Sequence, residues 1–193
     1  LDKMGVTRPT TVQQKAIPLM MDNMSVIAKA PTGTGKTFAF GIPIIEYLNL
    51  NSKYVQALIL SPTRELALQI TAELKGLGKY IEGFKVAPLI GGQSMRIQEE
   101  KLAKNPQIIV ATPGRLLDMV SRRLCDISQI YTLVLDEADE MLKMGFIKDI
   151  KRIIALTPED RQTALFSATM PREIQDITWE FMTGAAEIDV MPK

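Results

Sequence analysis

One short stretch of the chain has the residue types that bind phosphate groups, and it runs Ala30-Pro31-Thr32-Gly33-Thr34-Gly35-Lys36-Thr37. It nearly matches the pattern G-x-x-x-x-G-K-[ST], with alanine at the first glycine position. The two glycines let the backbone approach phosphate oxygens closely, and amide groups at a helix start then face the anion. We expect Lys36 to contact the β- and γ-phosphates of a nucleoside triphosphate and the Thr37 hydroxyl to bind Mg²⁺. The alternative is a glycine- and threonine-rich loop that only begins a helix.

A second group of reactive side chains follows an apolar run later in the chain. Thr132–Leu135 reads as a buried strand, and Asp136, Glu137, Ala138 and Asp139 come directly after it. A carboxylate at a strand end beside a phosphate loop can hold Mg²⁺, usually through water, and Asp136 is placed for that. Glu137 is placed to orient and deprotonate an attacking water, with Asp139 supporting both. An acidic helix start, stabilised by the helix dipole, is the alternative.

The composition excludes several other kinds of chemistry. The chain has 193 residues, no histidine and one cysteine, Cys125. Ser-His-Asp hydrolysis, Cys-His proteolysis and histidine-bound zinc within this chain are therefore excluded, and a reducing, cytoplasmic compartment is expected. No apolar run reaches the roughly 18 residues that cross a membrane, so we expect no membrane contact. Because the formal net charge is only +1, any nucleic-acid binding must come from local placement of Arg and Lys.

Apolar runs alternate with helical patterns along the chain. The predicted strands are Ser25–Lys29, Gln56–Leu60, Lys85–Leu89, Gln107–Ala111, Thr132–Leu135, Thr163–Phe166 and Glu187–Val190. The predicted helices are Val12–Met21, Lys36–Leu48, Arg64–Tyr80, Met95–Lys104, Gly114–Arg122, Ile147–Leu156 and Arg172–Met182. Continuous apolar strands alternating with helices predict one α/β domain, with a mostly parallel sheet and helices on both faces. Ligands of such sheets bind beyond the carboxyl ends of the strands, where both reactive groups fall.

The helical periodicity also predicts which side chains are buried. In Arg64–Tyr80, the residues Leu66, Ile70, Leu74 and Leu77 recur at spacings of three or four and predict one buried stripe. Four further residues are expected to pack in the core or, for the methionines, at an interface between lobes: Met141, Met144, Met182 and Trp179.

The tetrapeptide Asp136-Glu137-Ala138-Asp139 is the DEAD sequence itself, and the chain resembles the first RecA-like lobe of a DEAD-box ATP-dependent RNA helicase over nearly its full length. Six further segments match the motifs of that family in order. They are Pro9–Gln13 (Q motif), Ala30–Thr37 (motif I, with its alanine), Pro62–Ala67 (motif Ia), Gly91-Gly92 (the GG element), Thr112–Arg115 (motif Ib) and Ser167–Thr169 (motif III).

The resemblance implies a RecA-like, P-loop domain that binds ATP and Mg²⁺. It implies one lobe over residues 1–193 with the Q motif at 5–13, cut from a longer protein whose C-terminal lobe supplies an arginine-rich motif to the ATP site. The implied nucleotide contacts are Gln13, which reads the adenine edge in the family, and Ala30, Pro31, Thr32, Gly33, Thr34, Gly35, Lys36 and Thr37. The chain departs from the family at Val6, where Phe or Tyr is usual, and the upstream aromatic of the Q motif would precede Leu1.

The resemblance also implies a sequence-tolerant, salt-sensitive contact with the RNA backbone. The implied residues are Pro62, Thr63, Arg64, Gly91, Gly92, Thr112, Pro113, Gly114 and Arg115. Thr-Pro-Gly is also a common turn, and the two arginines could instead form internal contacts that hold the loops in shape. Ser167 and Thr169 are expected to hydrogen-bond Asp139 or neighbouring backbone, and the resemblance implies that they link the ATP site to the lobe interface. The alternative, which is compatible with this role, is a cap for the helix near Arg172.

Three functions remain open on the sequence. The leading one is the lobe of a monomeric RNA-stimulated ATPase that unwinds short RNA duplexes once its C-terminal lobe is present. The second is a nucleotide-binding module without significant catalysis. The third is a DNA translocase of a related superfamily, against which Gln13 and the DEAD tetrapeptide argue.

Overall fold

A computed structural model describes residues 9–33 and 35–192, and its centre is one sheet of seven short parallel strands. The strands are β1 (Val26–Lys29), β2 (Ala57–Leu60), β3 (Val86–Leu89), β4 (Ile108–Ala111), β5 (Thr132–Leu135), β6 (Gln162–Ser167) and β7 (Ala186–Asp189). Their order across the sheet is β3-β4-β2-β5-β6-β1-β7, and every neighbouring pair is parallel. The predicted α/β class and parallel sheet are confirmed.

Eight helices connect these strands within the described residues. They are α1 (Thr11–Met21), α2 (Lys36–Glu46), α3 (Arg64–Leu77), α4 (Met95–Leu102), α5 (Pro113–Ser121), α6 (Ala138–Lys143), α7 (Ile147–Leu156) and α8 (Arg172–Phe181). Several predicted helices were too long at their C-terminal ends; α3, for example, ends where Gly78 forms its cap. The six-residue helix α6 was not predicted, because it is too short for an apolar period to be visible.

Two apolar cores lie on opposite faces of the sheet. Helices α1, α2 and α3 cover one face, where Phe40 and Phe166 pack with their ring centroids 5.6 Å apart. Helices α5, α6, α7 and α8 cover the other face. The central strands are covered on both faces, and β2, β3, β4 and β5 are buried at every position.

The burial predictions were right for the stripe of α3 and for two of the three methionines, but not for every residue named. Ile70 and Leu74 of α3 are fully buried, and their neighbours Leu66 and Leu77 are half-buried against the same core. Met141 and Met182 are buried. Met144 is 50% exposed and does not fill the core, so its alternative place at an interface between lobes stays a prediction. Trp179 is 62% exposed, so the core prediction for it is wrong. Trp179 lies outside the buried stripe of α8, with the Arg172 guanidinium 5.7 Å from its ring centroid. Among the described helices, none has the length and apolar character needed to span a bilayer.

Candidate functional site

The predicted phosphate loop is a turn between the end of β1 at Lys29 and the start of α2 at Lys36. Gly33 and Gly35 have φ values of 79° and 76°, a left-handed conformation that favours glycine. Ala30, at the position where the general pattern has glycine, is fully buried, and its amide donates to the Ser167 carbonyl at 3.0 Å. The turn therefore continues the pairing of β1 with β6 by one residue before it curves into the helix. Thr34 lies outside the described residues.

The fold brings the phosphate loop and the DEAD segment together, although they are about one hundred residues apart in the chain. The Lys36 Nζ lies 3.4 Å from Asp136 Oδ1 and 3.6 Å from Glu137 Oε1. All three side chains are largely buried. They face a cavity of about 130 Å³ whose remaining lining is Thr32, Gly33, Gly35, Thr37, Leu66, Gln69 and Glu73. A lysine, two carboxylates, a hydroxyl and a glycine-lined turn thus share one small hollow.

Asp136 is the most strongly perturbed carboxylate of this hollow. Burial raises its pKa to about 6, since charge is costly away from water; Lys36 opposes that shift and the neighbouring Glu137 adds to it. Its Oδ1 is buried and has no hydrogen-bond partner within the described part of the chain. A buried carboxylate oxygen without a hydrogen bond, in the same hollow as the Thr37 hydroxyl, suits a hard cation, so the residues present fit Mg²⁺.

The described structure has no large cluster of metal-binding side chains. No group of three or more acidic, cysteine or histidine side chains that could hold a metal occurs in residues 9–33 and 35–192. Mg²⁺ is commonly bound through one or two carboxylates together with waters and substrate phosphates, so such a group is not required for it. Asp136 and Thr37 are the residues that would hold it.

Glu137 has an unusual backbone conformation. Its φ of 51° and ψ of 54° are left-handed, and it forms the N-cap of α6 without a side-chain capping bond. A non-glycine residue in this region costs about 1–3 kcal/mol, and such residues concentrate at functional sites. The turn from β5 into α6 lets successive residues Asp136 and Glu137 both point toward Lys36. The strained residue is thus the one predicted to act on water.

Asp139, Ser167 and Thr169 form one hydrogen-bonded group next to this hollow. The Thr169 hydroxyl and amide donate to Asp139 Oδ2 at 2.9 and 3.2 Å, and the Asp139 amide donates to the Ser167 hydroxyl at 3.1 Å. Burial disfavours the Asp139 carboxylate, but hydrogen bonds with Thr169, Ser167 and Glu140 outweigh it and hold its pKa below the usual value. The alternative in which these hydroxyls cap α8 is wrong, because Pro171 is its N-cap and no side chain caps it.

Gln13 connects helix α1 to the phosphate loop. Its side-chain Oε1 accepts from the Thr10 backbone amide at 3.0 Å, and its backbone amide donates to the Thr10 hydroxyl at 3.3 Å. These two bonds form a capping box. Its Nε2 donates to the Gly35 carbonyl at 3.1 Å. The predicted adenine-reading residue is therefore positioned beside the phosphate loop. Val6 and the rest of the Q motif before residue 9 lie outside the described residues.

Replacing Gly35 with alanine is expected to destabilise the loop more than the same change at Gly33. Both positions are left-handed and pay about 1–2 kcal/mol for an added Cβ. At Gly35 the Cβ would also lie 2.5 Å from Gln13 Nε2, which displaces the Gln13 amide, whereas at Gly33 nothing lies within 4 Å. Urea unfolding of the two variants measures the difference, and equal destabilisation would show that the Gln13 contact contributes nothing.

The segments predicted to contact RNA, Pro62–Arg64, Gly91-Gly92 and Thr112–Arg115, follow β2, β3 and β4. Together with Gln93, which adjoins the second segment, we call them the three-loop surface. The Thr63 hydroxyl caps α3 by accepting from the Leu66 amide at 3.1 Å. Thr112 is the N-cap of α5 and makes no side-chain capping bond, which leaves its hydroxyl available to a ligand. Pro113 occupies the first turn of α5, where the missing N–H has no cost, and Gly114 is exposed.

The two arginines of the three-loop surface do make internal contacts. The Arg115 Nη1 donates to the Gln93 carbonyl at 3.0 Å. The Arg64 Nη1 lies close to Gly92, 2.8 Å from the position that a Cβ would take, and the φ of 76° at Gly92 also favours glycine. Both side chains therefore make contacts within the lobe, as expected if they hold the loops in shape, and their contact with RNA stays a prediction. These contacts bring the three loops to a common surface at the carboxyl edge of the sheet.

Gln98, a residue that was not predicted from the sequence, holds the middle loop of this surface. It is fully buried on α4, and its Nε2 donates to the Ile90 carbonyl at 2.9 Å and to Gln93 Oε1 at 3.2 Å. Gln93 in turn accepts from Arg115 through its backbone. Nothing in the residue types of α4 marks this position, because its buried face holds a polar side chain and so shows no apolar period.

Replacing Gln98 with leucine is expected to lower the free energy of unfolding by about 1–3 kcal/mol, because the buried Ile90 carbonyl loses its donor. Gln14→Leu, at an exposed position of α1, is the matched control and should stay within about 0.5 kcal/mol of the parent. Urea denaturation measures both variants. A Gln98→Leu variant as stable as the Gln14→Leu control would contradict this role.

A parallel sheet that carries a glycine-lined anion loop after β1 and a carboxylate pair after β5 defines the class of phosphate-loop nucleotide-binding domains. The profile of the DEAD/DEAH box helicase family matches residues 10–177 of this chain, and the chain belongs to that family. The sequence-based assignment to this family and to its RecA-like fold is confirmed.

Two relatives illustrate how the match is distributed. The chain is 48% identical over 190 residues to the ATP-dependent RNA helicase DeaD of Buchnera aphidicola, covering 98% of this chain and 32% of that protein. It is 48% identical over 193 residues to the DEAD-box ATP-dependent RNA helicase CshA of Bacillus subtilis, covering 100% of this chain and 39% of that protein. The chain thus spans about a third to two fifths of the curated relatives it matches.

A solved structure agrees with the fold. The crystal structure of a DEAD box protein from Methanococcus jannaschii superposes with a TM-score of 0.93 at 42% identity, over 98% of this chain and 52% of that one. The match again covers about half of the longer protein.

Proposed function

We propose that residues 1–193 form the single ATP-binding lobe of an ATP-dependent RNA helicase. One observation supports this above all others: the Lys36 ammonium lies within 3.6 Å of both Asp136 and Glu137, over a cavity lined by Gly33 and Gly35. A glycine-rich turn that only begins a helix and an acidic helix start that only complements the helix dipole would not be expected to lie together in this way. Relatives named ATP-dependent RNA helicases at 48% identity support the same proposal.

The phosphate loop would bind the triphosphate chain of ATP. Backbone amides between Ala30 and Thr37, together with the N-terminal end of α2, face the phosphates, and the Lys36 ammonium turns from Asp136 and Glu137 toward the β- and γ-oxygens. Mg²⁺, when bound by Thr37 and Asp136, would neutralise charge on those phosphate oxygens. Gln13, already hydrogen-bonded to the loop through Gly35, would read the edge of the adenine ring.

Glu137 would act as the base that orients and deprotonates the attacking water. Its carboxylate is 12% exposed, so water would reach it from the cavity. The Lys36 Nζ of the phosphate loop lies 3.6 Å from Glu137 Oε1. Asp139, hydrogen-bonded to Thr169, holds the first turn of α6 and would transmit closure of the ATP site to the lobe interface. The proton leaves the water for the Glu137 carboxylate as the γ-phosphate is attacked in line.

RNA would bind across the three-loop surface through its phosphate backbone. Helix N-termini at Thr63 and Thr112 point amide groups outward, and Arg64 and Arg115 supply charge without reading bases. Such contacts are tolerant of sequence and sensitive to salt. With a C-terminal lobe present, closure around ATP and RNA would separate a short duplex. We further propose that the protein acts as a monomer in the cytoplasm.

The second candidate, a nucleotide-binding module without significant catalysis, describes this chain when it is alone. Of the residues that line the cavity in the described structure, Lys36 is the one cation. In phosphoryl transfer an additional arginine contributes about 10³–10⁵ in rate, and here the C-terminal lobe would supply it. We therefore expect the 193-residue chain to bind ATP and to hydrolyse it very slowly.

A steady-state ATPase assay with and without RNA tests the proposal. The full-length protein should be strongly stimulated by RNA, and the 193-residue chain should not be. Strong RNA stimulation of the 193-residue chain would contradict the proposal that hydrolysis requires the C-terminal lobe. Equal stimulation of the full-length protein by single-stranded DNA would favour a DNA translocase instead.

A further inference from the structure

A cluster of five lysines surrounds a cleft that none of the helicase motifs uses. The cleft has a volume of about 410 Å³, and we call it the lysine cleft. Its lysines come from the end of α3, the start of β3 and the end of α4, and they are Lys75, Lys79, Lys85, Lys101 and Lys104. Three separate elements thus converge to place positive charge around one depression.

These ammonium groups have no carboxylate partners within residues 9–33 and 35–192. The ion pairs of the described structure involve other residues, and the one polar contact of the five is a bond from Lys85 Nζ to the Lys104 carbonyl at 2.8 Å. Glu100, which precedes Lys101 in α4, pairs with Arg96 instead at 3.4 Å. No acidic residue lines the cleft. Since the whole chain has a net charge of only +1, this is a local concentration of charge that suits an anion.

The position of the lysine cleft separates it from the proposed ATP and RNA contacts. Lys85 and Pro106 precede β3 and β4, so the cleft lies at the amino edge of the sheet. The three-loop surface lies at the carboxyl edge, and β3 joins the two because Gly91 and Gly92 follow its other end. A four-residue strand spans about 13 Å. A single-stranded polyanion on the Gly91-Gly92 loop therefore reaches the cleft by following the outer edge of β3.

The edge strand itself argues against a peptide partner that adds to the sheet. The carbonyls of Lys85 and Leu89 accept from Gln107 and Thr112 on the β4 side, so Val86 and Pro88 present their backbone groups outward. Pro88 has no N–H, and a continuous ladder with an added strand cannot form there. Recognition at this edge must come from side chains.

An exposed aromatic residue beside the cleft favours nucleic acid over an acidic peptide. Tyr80 follows Lys79 and is 68% exposed, with the Lys79 ammonium 5.6 Å from its ring centroid. Lysines that track phosphates, interleaved with an aromatic face on which a base can stack, are the two features of sequence-tolerant single-strand binding. An acidic peptide would use the lysines but not the ring.

We propose that the lysine cleft and Tyr80 form a second RNA-binding surface, which holds the single-stranded flank of an RNA that also contacts the three-loop surface. The choice of RNA as the polyanion rests on the proposed function; the cleft does not depend on ATP. The bound strand would contact phosphates through the five ammonium groups and stack one base on Tyr80. This surface would lengthen the RNA footprint around the β3 edge of the lobe.

Binding of a fluorescein-labelled oligouridine 12-mer to the 193-residue chain tests the proposal, with fluorescence anisotropy read from 25 to 200 mM salt. The test variant is Lys79→Gln/Lys101→Gln/Lys104→Gln. The matched control, Lys15→Gln/Lys148→Gln/Lys151→Gln, removes the same charge from α1 and α7. Each lost phosphate contact should reduce the slope of log K against log salt by about 0.7, so the test variant should lose about 2 and the control about 0.

The outcomes separate this proposal from its competitors and from the proposed function. Tyr80→Ala should weaken RNA binding by about fivefold or more. Equal reductions of the salt slope in both triple variants, or no RNA binding by the parent chain at 25 mM salt, would contradict RNA binding in the lysine cleft. A decaglutamate peptide that displaces the RNA, with no effect of Tyr80→Ala on either ligand, would assign the cleft to acidic protein instead. ATP affinity, measured in parallel, should be unchanged in both triple variants. A parent chain that does not bind ATP would instead contradict the proposed function.

Discussion

Lys36→Ala is expected to abolish ATP binding by this lobe, with a Kd at least about 100-fold weaker than that of the parent. A charge-assisted bond contributes about 1.5–3 kcal/mol, and 1.4 kcal/mol corresponds to a factor of ten in Kd. The change also leaves Asp136 and Glu137 without the cation that lies 3.4 and 3.6 Å away. The cavity would then hold two carboxylates facing a polyanionic ligand, so repulsion adds to the lost attraction. Titration calorimetry with ATP and Mg²⁺ measures the effect.

The control for this result is Lys15→Ala, which removes an exposed lysine from α1 and should bind ATP like the parent. Circular dichroism of both variants checks that the sheet and helices are retained. If Lys36→Ala bound ATP within about threefold of the parent while remaining folded, the cavity between the two motifs would not be the phosphate site. The proposal for ATP would then fail at its central observation.

Glu137→Gln is expected to retain ATP binding and to reduce turnover of the full-length protein by about 10²–10⁴-fold, the range that general base catalysis contributes. Glutamine has the same shape and hydrogen-bonding reach, so it keeps the contact with Lys36, but it cannot accept the proton from water. Both residues meet the same backbone cost at φ 51°. Phosphate release with saturating RNA measures turnover, and calorimetry measures ATP affinity.

Glu140→Gln is the matched control for the base. Glu140 lies three residues further along α6, where its carboxylate pairs with Lys143 at 3.0 Å on the exposed face of the helix. Its replacement should leave turnover unchanged. A Glu137→Gln variant with normal turnover would show that another group takes the proton. Loss of ATP affinity together with turnover would instead assign Glu137 a role in binding.

The strands were predictable to within about one residue because most are short apolar runs buried on both faces, and burial on both faces leaves a signal in every position. Helix ends were less predictable, since a cap such as Gly78 depends on backbone geometry and not on an apolar period. Trp179 was expected to pack in the core, but the stripe of α8 that faces the sheet excludes it. Gln98 gave no signal, because its role depends on a carbonyl eight residues away.

The residue types and spacing alone determined the family, the α/β class and the two reactive segments, because phosphate binding demands glycines, a lysine and a hydroxyl in a contiguous order. Only the tertiary structure decided how those segments meet. The pairing of β1 with β6 and of β6 with β5 sets Lys36 beside Asp136 and Glu137, and a left-handed turn at Glu137 directs both carboxylates to one cation. The lysine cleft likewise exists only in three dimensions, since strand order makes β3 an edge and gathers charges from two helices around it. Contacts between distant segments depend on strand order, and no local pattern of residues records that order.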